Sequence, residues 1–298
     1  MMNMKKLIMG TLVLAPLILF GQRRDIERDF SAFDVVIASG NFNVTMNHDE
    51  SYGVKLTVDD ALQDYVQCYV RGNTLYLALS EKSIPKEVRK LYRGKNAPDP
   101  VLNAIVYLPA LSALTLSDEA TFTALDPIES DRFDVTLSGN AVARNLVVDA
   151  ATVTIVCDKK SNLDLDVICD ELDLKASGNA KVNLDFDTKK LIADNAGSAS
   201  LILNGDADDV EIIAGNSSAL TLGGAGFSLI VNGSGASSKV DASKFHVLAA
   251  SIVASGTSVN VSADDELELD LSKGATVLYA GEPQVKIVRI ENSSVLRH

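Results

Sequence analysis

The stretch LDLKASGNAKVNLDFDTKKLIADNAGSASLIL, residues 172–203, contains one pattern twice. Each copy has apolar residues at alternate positions, then a short polar turn around Gly178 or Gly197, then a second alternating run. Alternation with a period of two residues indicates β-strands that bury one face. The stretch therefore predicts a strand–turn–strand unit that repeats after 19 residues.

The same turn recurs through the second half of the chain at intervals of 17 to 21 residues. We call the central residue of each turn its anchor, and the anchors are Asp118, Gly139, Lys159, Gly178, Gly197, Asn216, Gly235, Gly256 and Lys273. The residue four places before each anchor is apolar, and the residue two places after it is Ala or Ser, including Ser237 and Ser258. Four places after the anchors the residues are apolar up to Leu220, followed by Lys239, Asn260 and Val277. A column of small residues predicts a tight corner at every turn.

One such unit cannot bury its apolar face alone, so successive units must stack on one another. The repeat contains no helix-sized segment, and its strands are separated by turns, so the strands stack in parallel. The predicted class is all-β, a single-stranded parallel β-helix with about nine or more coils of roughly 20 residues. Leucine-rich repeats have a similar period, but their Leu/Asn signature and helical segment are missing from this sequence.

The flanking segments suggest how the stack begins and ends. Residues 22–110 are predicted to form N-terminal strands and a cap, in which residues 33–44 look like another copy of the repeat with Gly40 as anchor. Residues 111–298 hold the repeat coils and closing strands near residues 285–290 and 293–296. No linker separates these parts, which predicts one continuous domain over residues 22–298.

A basic insertion interrupts the cap at residues 81–100. It carries Lys82, Lys86, Arg89, Lys90, Arg93 and Lys95. The segment is predicted to be an exposed loop or a short helix. It is either a solvated surface or a contact point for an acidic glycan or partner.

Residues 1–21 have the features of a Sec signal peptide. Lys5 and Lys6 precede the apolar run Leu7–Phe20, and a polar segment follows. The run is short for a membrane span, so no transmembrane segment is expected after cleavage. No Cys stands near the end of this segment, which leaves a lipoprotein unsupported. The predicted location is the periplasm or the cell surface of a Gram-negative bacterium.

Charge and composition exclude several classes of function. Lys and Arg number 27 against 40 Asp and Glu, a net charge of −13, which argues against nucleic acid as a partner. His48, His246 and His298 are far apart in the sequence, and no Cys or carboxylate grouping completes a ligand set around them. No catalytic residue, cofactor-binding residue or His-based metal site is predicted.

Two smaller features have simple interpretations. Cys68, Cys157 and Cys169 are an odd number of cysteines, so at least one thiol is free, and all three are interpreted as small buried residues. Gly223–Gly226 resembles half of a calcium-binding nonapeptide, but Phe227 stands where that motif needs Asp. The glycine run is predicted to be a turn.

One candidate cation site follows from the repeat register. Asp166 and Asp185 both lie seven residues after their anchors, so they are expected to point outward on neighbouring coils, with Asn204 next in line. Asp164 and Asn183 lie two residues earlier in the same coils. Carboxylates stacked ~5 Å apart repel each other unless a cation or solvent screens them. The ladder Asp164, Asp166 and Asp185 is therefore either a solvated acidic face or a Ca²⁺ site.

Four passages resemble the Bacteroidetes family of auto-transporter adhesins with a head GIN domain. They are the opening strand and Ser-Gly turn at residues 33–44, the entry into the repeats at 107–114 with its Leu-Pro-Ala-Leu, the Ser-Gly turns at 138–257, and Tyr-Ala-Gly-Glu-Pro at 279–283. Asp118 and Lys159 depart from the Gly that this pattern has at the turns. The resemblance implies a right-handed β-helix on an exported protein that acts in adhesion, without catalytic residues.

The expected function is a non-catalytic, adhesin-like scaffold that binds a glycan or a surface protein. The alternative is an envelope structural protein that self-associates end to end, for which both ends of the stack must be open. A polysaccharide-active enzyme is the third possibility, because cleavage of glycosidic bonds needs paired carboxylates. Trp is absent, however, and Arg132, Arg144 and Arg289 are scattered.

Overall fold

The strands of the chain form one continuous sheet that winds into a β-solenoid of about ten turns. The structure is a computed structural model and describes residues 22–298. Its successive coils stack in parallel, which confirms the predicted parallel β-helix. The predicted signal peptide, residues 1–21, lies outside the described residues.

The first nine strands form the N-terminal end. They are β1 (Arg23–Asp29), β2 (Val35–Ala38), β3 (Asn43–His48), β4 (Gly53–Asp59), β5 (Val66–Arg71), β6 (Thr74–Leu79), β7 (Leu102–Leu108), β8 (Ala113–Leu116) and β9 (Thr121–Ala124). Helix α1 (Lys86–Leu91) and 3₁₀ turns at Gln63–Tyr65 and Glu81–Ser83 lie between them.

The remaining strands form the regular stack. They are β10 (Ile128–Leu137), β11 (Val142–Cys157), β12 (Asn162–Ala176), β13 (Lys181–Asn195), β14 (Ser200–Gly215), β15 (Ala219–Ser234), β16 (Lys239–Ser255), β17 (Ser258–Ser272), β18 (Thr276–Ala280), β19 (Gln284–Ile290) and β20 (Ser294–Arg297). Strands β11 to β17 have 15 to 17 residues each, so one strand makes almost a whole coil.

The nine anchors all adopt a positive φ, as does Gly40. Asp118 (φ 61°) and Lys159 (φ 62°) have the same left-handed backbone as the glycine anchors. An L-residue in this conformation costs about 1–2 kcal/mol, so the surrounding stack must hold it there. The departures from Gly therefore do not change the shape of these turns.

The predicted interior columns are buried up to Leu220, but the register of two later turns differs from the prediction. Ser238 and Thr257 occupy the small buried column, whereas Ser237 and Ser258 are exposed. The turn at Gly235 has one residue more than the others, and the turn at Gly256 has one fewer. Consequently the interior positions predicted for Lys239 and Asn260 belong to Val240 and Val259.

Gly223–Gly226 does not form a separate turn, contrary to the prediction. The run lies inside β15, where Gly224 has a φ of 121°. Gly224 still pairs with Gly205 on one side and Phe245 on the other. The ladder to β14 is continuous through the run, whereas the ladder to β16 shifts register between Thr221 and Gly223.

The predicted N-terminal cap is present. Strands β6 and β7 pair in parallel with β2 and β3 and form the outermost coil, and three antiparallel pairs, β5 with β6, β4 with β7 and β1 with β4, lie beyond it. Leu62 and Ile84 are buried under this layer, and the rings of Phe33 and Tyr52 pack edge to face at 5.6 Å. Antiparallel strands thus cover the first end of the stack.

The strands predicted to close the C-terminal end exist as β19 and β20, but they leave that end uncovered. Every residue of β19 is exposed. The two ends of the solenoid therefore differ, because only the N-terminal one has a covering layer within residues 22–298.

Candidate functional site

The turns around the anchors form a continuous row along one edge of the solenoid. Backbone N–H groups of each turn donate to carbonyl oxygens of the preceding turn, as Lys160 does to Gly139 (2.8 Å) and Ser198 to Gly178 (2.7 Å). These bonds satisfy the peptide groups and hold the turns rigidly. The side chains that project from the row are therefore the groups left to bind a partner.

The basic insertion meets this row at its N-terminal end. It joins β6 to β7 at the place where the next coil has the Gly40 turn, and its helix α1 confirms the predicted short helix. A cleft of about 500 Å³ starts at the insertion and crosses four successive turns. We call it the turn-row groove, and its lining residues are Gly40, Asn41, Glu81, Asp118, Glu119, Gly139, Asn140, Lys159 and Lys160. Four stacked turns span ~14 Å, so the groove is elongated.

A second cavity of about 240 Å³ continues the groove beneath the insertion. Its lining includes the apolar side chains of Leu62, Leu79, Ile84 and Leu102, and Arg89, Arg93 and Tyr92 of the insertion. Gly40, Asn41 and Glu81 line both cavities. The combined surface has an apolar part under the insertion and a polar part along the turns.

Tyr92 is fixed in the wall of this cavity. Its hydroxyl donates to Asp59 Oδ2 at 3.1 Å, and the backbone N–H of Val101 donates to the same oxygen at 3.0 Å. Burial, together with the charge of Asp59, raises the pKa of Tyr92 to about 12. The hydroxyl therefore stays neutral and anchors the insertion to the cap. Nothing in the sequence pattern singled out this residue.

The groove is less acidic than the rest of the chain. Arg89, Arg93, Lys159 and Lys160 stand against the carboxylates of Glu81, Asp118 and Glu119. Within the described part of the chain, none of these four cations takes part in a salt bridge. They are therefore available to an anionic partner.

The structure places the predicted acidic ladder as expected. Asp166 pairs in register with Asp185, Asp185 pairs with Asn204, and all three are exposed. Asp164 lies beside them, where its Oδ1 accepts a hydrogen bond of 2.8 Å from Asn183 Nδ2. Among residues 22–298, no group of three or more His, Cys, Asp or Glu side chains is arranged to hold a metal ion.

The Ca²⁺ site at this ladder stays a prediction. A bound Ca²⁺ stabilises the folded state by mass action and raises the melting temperature. The measurement is thermal unfolding with millimolar Ca²⁺ or EDTA, for the wild type and for Asp185→Asn. A rise that the variant lacks supports the site, and identical curves in both solutions contradict it.

The histidines remain apart. His246 Nδ1 lies 3.2 Å from Ser262 Oγ, while the backbone N–H of His48 donates to Asp126 Oδ2 at 3.2 Å near the other end. The structure brings none of the histidines to the Asp166 ladder. Of the scattered arginines, Arg132 and Arg289 pair with Asp134 and Asp270, whereas Arg144 lies in the bulge of β11, on the coil beside Asp164.

All three cysteines are free and buried, as interpreted from the sequence. Burial raises the pKa of Cys68 to about 11 and that of Cys157 to about 12, and it also raises the pKa of Cys169. These thiols stay protonated in the folded protein at neutral pH.

We expect the folded protein to be inert to 5,5′-dithiobis(2-nitrobenzoic acid) at about pH 8, where an exposed thiol is partly ionised. All three thiols should react in concentrated guanidinium chloride. Because the unfolded chain ionises its thiols above about pH 8.5, their contribution to stability is complete below that pH and is lost as the pH rises through the folded values. Fast labelling of the native protein would contradict this account.

The geometry defines a class of protein, a rigid β-solenoid with an elongated groove along its turns. The chain belongs to the family described as "Putative auto-transporter adhesin, head GIN domain", whose model matches residues 32–204 and again residues 166–283. Two overlapping matches are what a repetitive fold produces.

Solved structures share the fold at low sequence identity. A putative adhesin from Parabacteroides merdae is 17% identical, with 94% of this chain and 97% of that chain covered and a TM-score of 0.51. A putative lipid binding protein from Parabacteroides distasonis is 16% identical, with 94% and 98% covered and a TM-score of 0.48. No curated protein matches the chain. In the described residues, no helix has the length and hydrophobicity of a membrane span.

Proposed function

We propose that this protein is an exported, non-catalytic scaffold at the cell surface that binds an anionic glycan in the turn-row groove. The observation that carries the proposal is the groove itself, which begins under the basic insertion and crosses four stacked turns. An elongated cleft with regularly spaced polar side chains suits a partner that is itself an extended chain. Membership of an adhesin family supports a role in binding rather than catalysis.

The charges of the groove favour an anionic glycan over a neutral one. Arg93 of the insertion and Lys160 of the turn row are exposed, and they lie in the two adjoining cavities of the groove. One chain that follows the groove can contact both cations. Asn41 and Asn140 lie between them along the row and can donate and accept hydrogen bonds with sugar hydroxyls.

The test is binding of the purified protein to an array of acidic and neutral glycans. We expect Arg93→Glu/Lys160→Glu to weaken binding of an acidic glycan about tenfold, because two exposed charge contacts together contribute up to ~2 kcal/mol and 1.4 kcal/mol is a factor of ten. Lys239→Glu/Lys244→Glu is the matched control, since both are exposed cations of β16, four coils from the groove, and the change in charge is the same.

Unchanged affinity in the double variant, or an equal loss in the control, would contradict this site. If the protein binds a surface protein and no glycan on the array, its partner is a protein and not a glycan. New reducing or unsaturated ends on the glycans would show an enzyme instead.

A further inference from the structure

The C-terminal end of the solenoid exposes the inside of its last coil. Val285, Ile287 and Ile290 of β19 lie over the buried leucines of β17, but they are 38%, 58% and 40% exposed. Val295 of β20 lies over the buried Val277 and is itself only partly buried. These side chains occupy interior positions of the stack, yet no further coil covers them within residues 22–298.

The backbone of this end is open as well. Strand β19 pairs with β17 on one edge, and β20 pairs with β18 on one edge. Among the described strands, none pairs with their other edges. An open edge next to an apolar surface is a template for pairing with another chain. The opposite end also finishes in strands paired on one edge, β1 and β5, but it is built of antiparallel strands, and six of the seven residues of β1 are charged, which disfavours pairing with another chain.

The charges around this end are already neutralised by the chain itself. Lys286 pairs with Glu268 at 2.6 Å, Arg289 pairs with Asp270 at 2.7 Å, and Arg297 pairs with Glu282. An acidic partner would have to displace these carboxylates. From residue 273 onward there are four Lys and Arg residues and two Glu. The negative net charge of the whole chain is therefore not concentrated at this end, and two copies of it do not repel each other strongly.

We propose that the C-terminal face is an interface between two copies of this chain, with β19 of one copy antiparallel to β19 of the other around a two-fold axis. The same apolar surface then meets itself, as a two-fold interface requires. Because each copy has one open end and one capped end, the association closes at two copies. It does not extend into a filament, for which both ends would have to be open.

The size of the face fits a specific but weak dimer. A seven-residue strand is ~23 Å long, and two sheets ~10 Å apart with their outward side chains make the end face about 20 Å wide, so it covers roughly 450 Å² per copy and ~900 Å² in the pair. That total is in the range of weak, transient interfaces, for which micromolar dissociation constants are ordinary. We therefore expect dimers at tens of micromolar and monomers well below one micromolar.

The test is sedimentation velocity of purified residues 22–298, which contain the whole described solenoid, over that concentration range. Ile287→Lys places a charge in the centre of the face and should raise the dissociation constant at least tenfold without lowering the melting temperature. Val285→Lys, at a residue of the same face that is 38% exposed, should act in the same direction. The matched control is Ile168→Lys, because Ile168 is 59% exposed on the side of the stack, and it should leave the dimer intact.

A monomer at every concentration would overturn the proposal and assign the face to a different partner. Dimers that persist in both Ile287→Lys and Val285→Lys would place the interface elsewhere. Longer oligomers would overturn the closed two-fold arrangement. None of these outcomes depends on the groove, so failure of the dimer leaves the proposed glycan binding intact.

Discussion

Replacing Gly224 by Ala is expected to destabilise the solenoid by at least about 4 kcal/mol, or to prevent folding. Gly224 has a φ of 121°, and a Cβ at this position would lie 1.8 Å from the carbonyl oxygen of Gly205 on the neighbouring coil. That oxygen belongs to the backbone of β14, which pairs with β13 and β15 on both sides of Gly205. Relief of the clash therefore requires breaking the ladder between β14 and β15. The measurement is guanidinium and thermal unfolding of the purified variant.

Gly72→Ala is the control for the cost of backbone conformation alone. Gly72 also has a positive φ, 64°, but a Cβ there has no heavy atom within 4 Å. We expect a loss of about 1–2 kcal/mol, the cost of the left-handed conformation for an L-residue. Equal losses in the two variants would show that close contact between coils is not what requires Gly224.

The second large effect is expected from Ala180→Leu. Ala180 is fully buried in the small column two residues after its anchor, between Ser161 and Ala199 on the neighbouring coils. The coils above and below are held ~4.8 Å apart by backbone hydrogen bonds, so the corner cannot widen to admit a larger side chain. Overpacking of a core costs about 1–3 kcal/mol and can exceed this where the backbone is fixed.

The same substitution at an exposed position shows whether the loss of stability comes from packing in the corner or from the change of Ala to Leu itself. Ala219 is exposed at the start of β15, so Ala219→Leu should change the free energy of unfolding by less than about 0.5 kcal/mol. Both variants are compared by guanidinium unfolding. If Ala180→Leu is as stable as Ala219→Leu, the corner has spare volume and the small column is not a steric requirement.

The fold could be predicted from the sequence because each repeat has the same alternation of apolar residues around the same turn. Nine turns with an alternating apolar pattern leave a parallel stack as the way to bury all the apolar faces. Even Asp118 and Lys159, which lack the freedom of Gly, were located at the correct turn position by alignment with their neighbours. The stack imposes the positive φ on them.

Register at the irregular turns could not be predicted, because it depends on pairs of residues in different coils. Thr257 is larger than the Ala or Ser of its column, and it fits because Gly233 leaves space: a Cβ at Gly233 would lie 2.8 Å from the Thr257 side chain. Similarly, a Cβ at Gly226 would lie 2.9 Å from the ring of Phe245. In both cases a glycine on one coil makes room for a larger side chain on the next. Such pairs do not repeat from coil to coil, so they leave no periodic pattern in the sequence.

The candidate groove was predicted in part. The basic insertion was visible as a cluster of charge, and a partner contact was one of its two interpretations. Its position was not visible, because it depends on β6 and β7 pairing over β2 and β3, although β7 follows β3 by more than 50 residues. The hydrogen bond from Tyr92 to Asp59 arises from the same long-range topology. The open C-terminal end was missed for a related reason, since a last strand has the same alternating pattern whether or not another layer covers it.

Export to the cell surface is the claim on which the proposed function rests, and protease treatment of intact cells tests it most directly. The protein is detected with an antibody before and after digestion, alongside a periplasmic protein as a control. Because a β-solenoid can resist proteases, the digestion is repeated after the outer membrane has been opened. The proposal predicts loss of the antibody signal on intact cells while the periplasmic control survives. Full protection on intact cells, with digestion only after the membrane is opened, would contradict it.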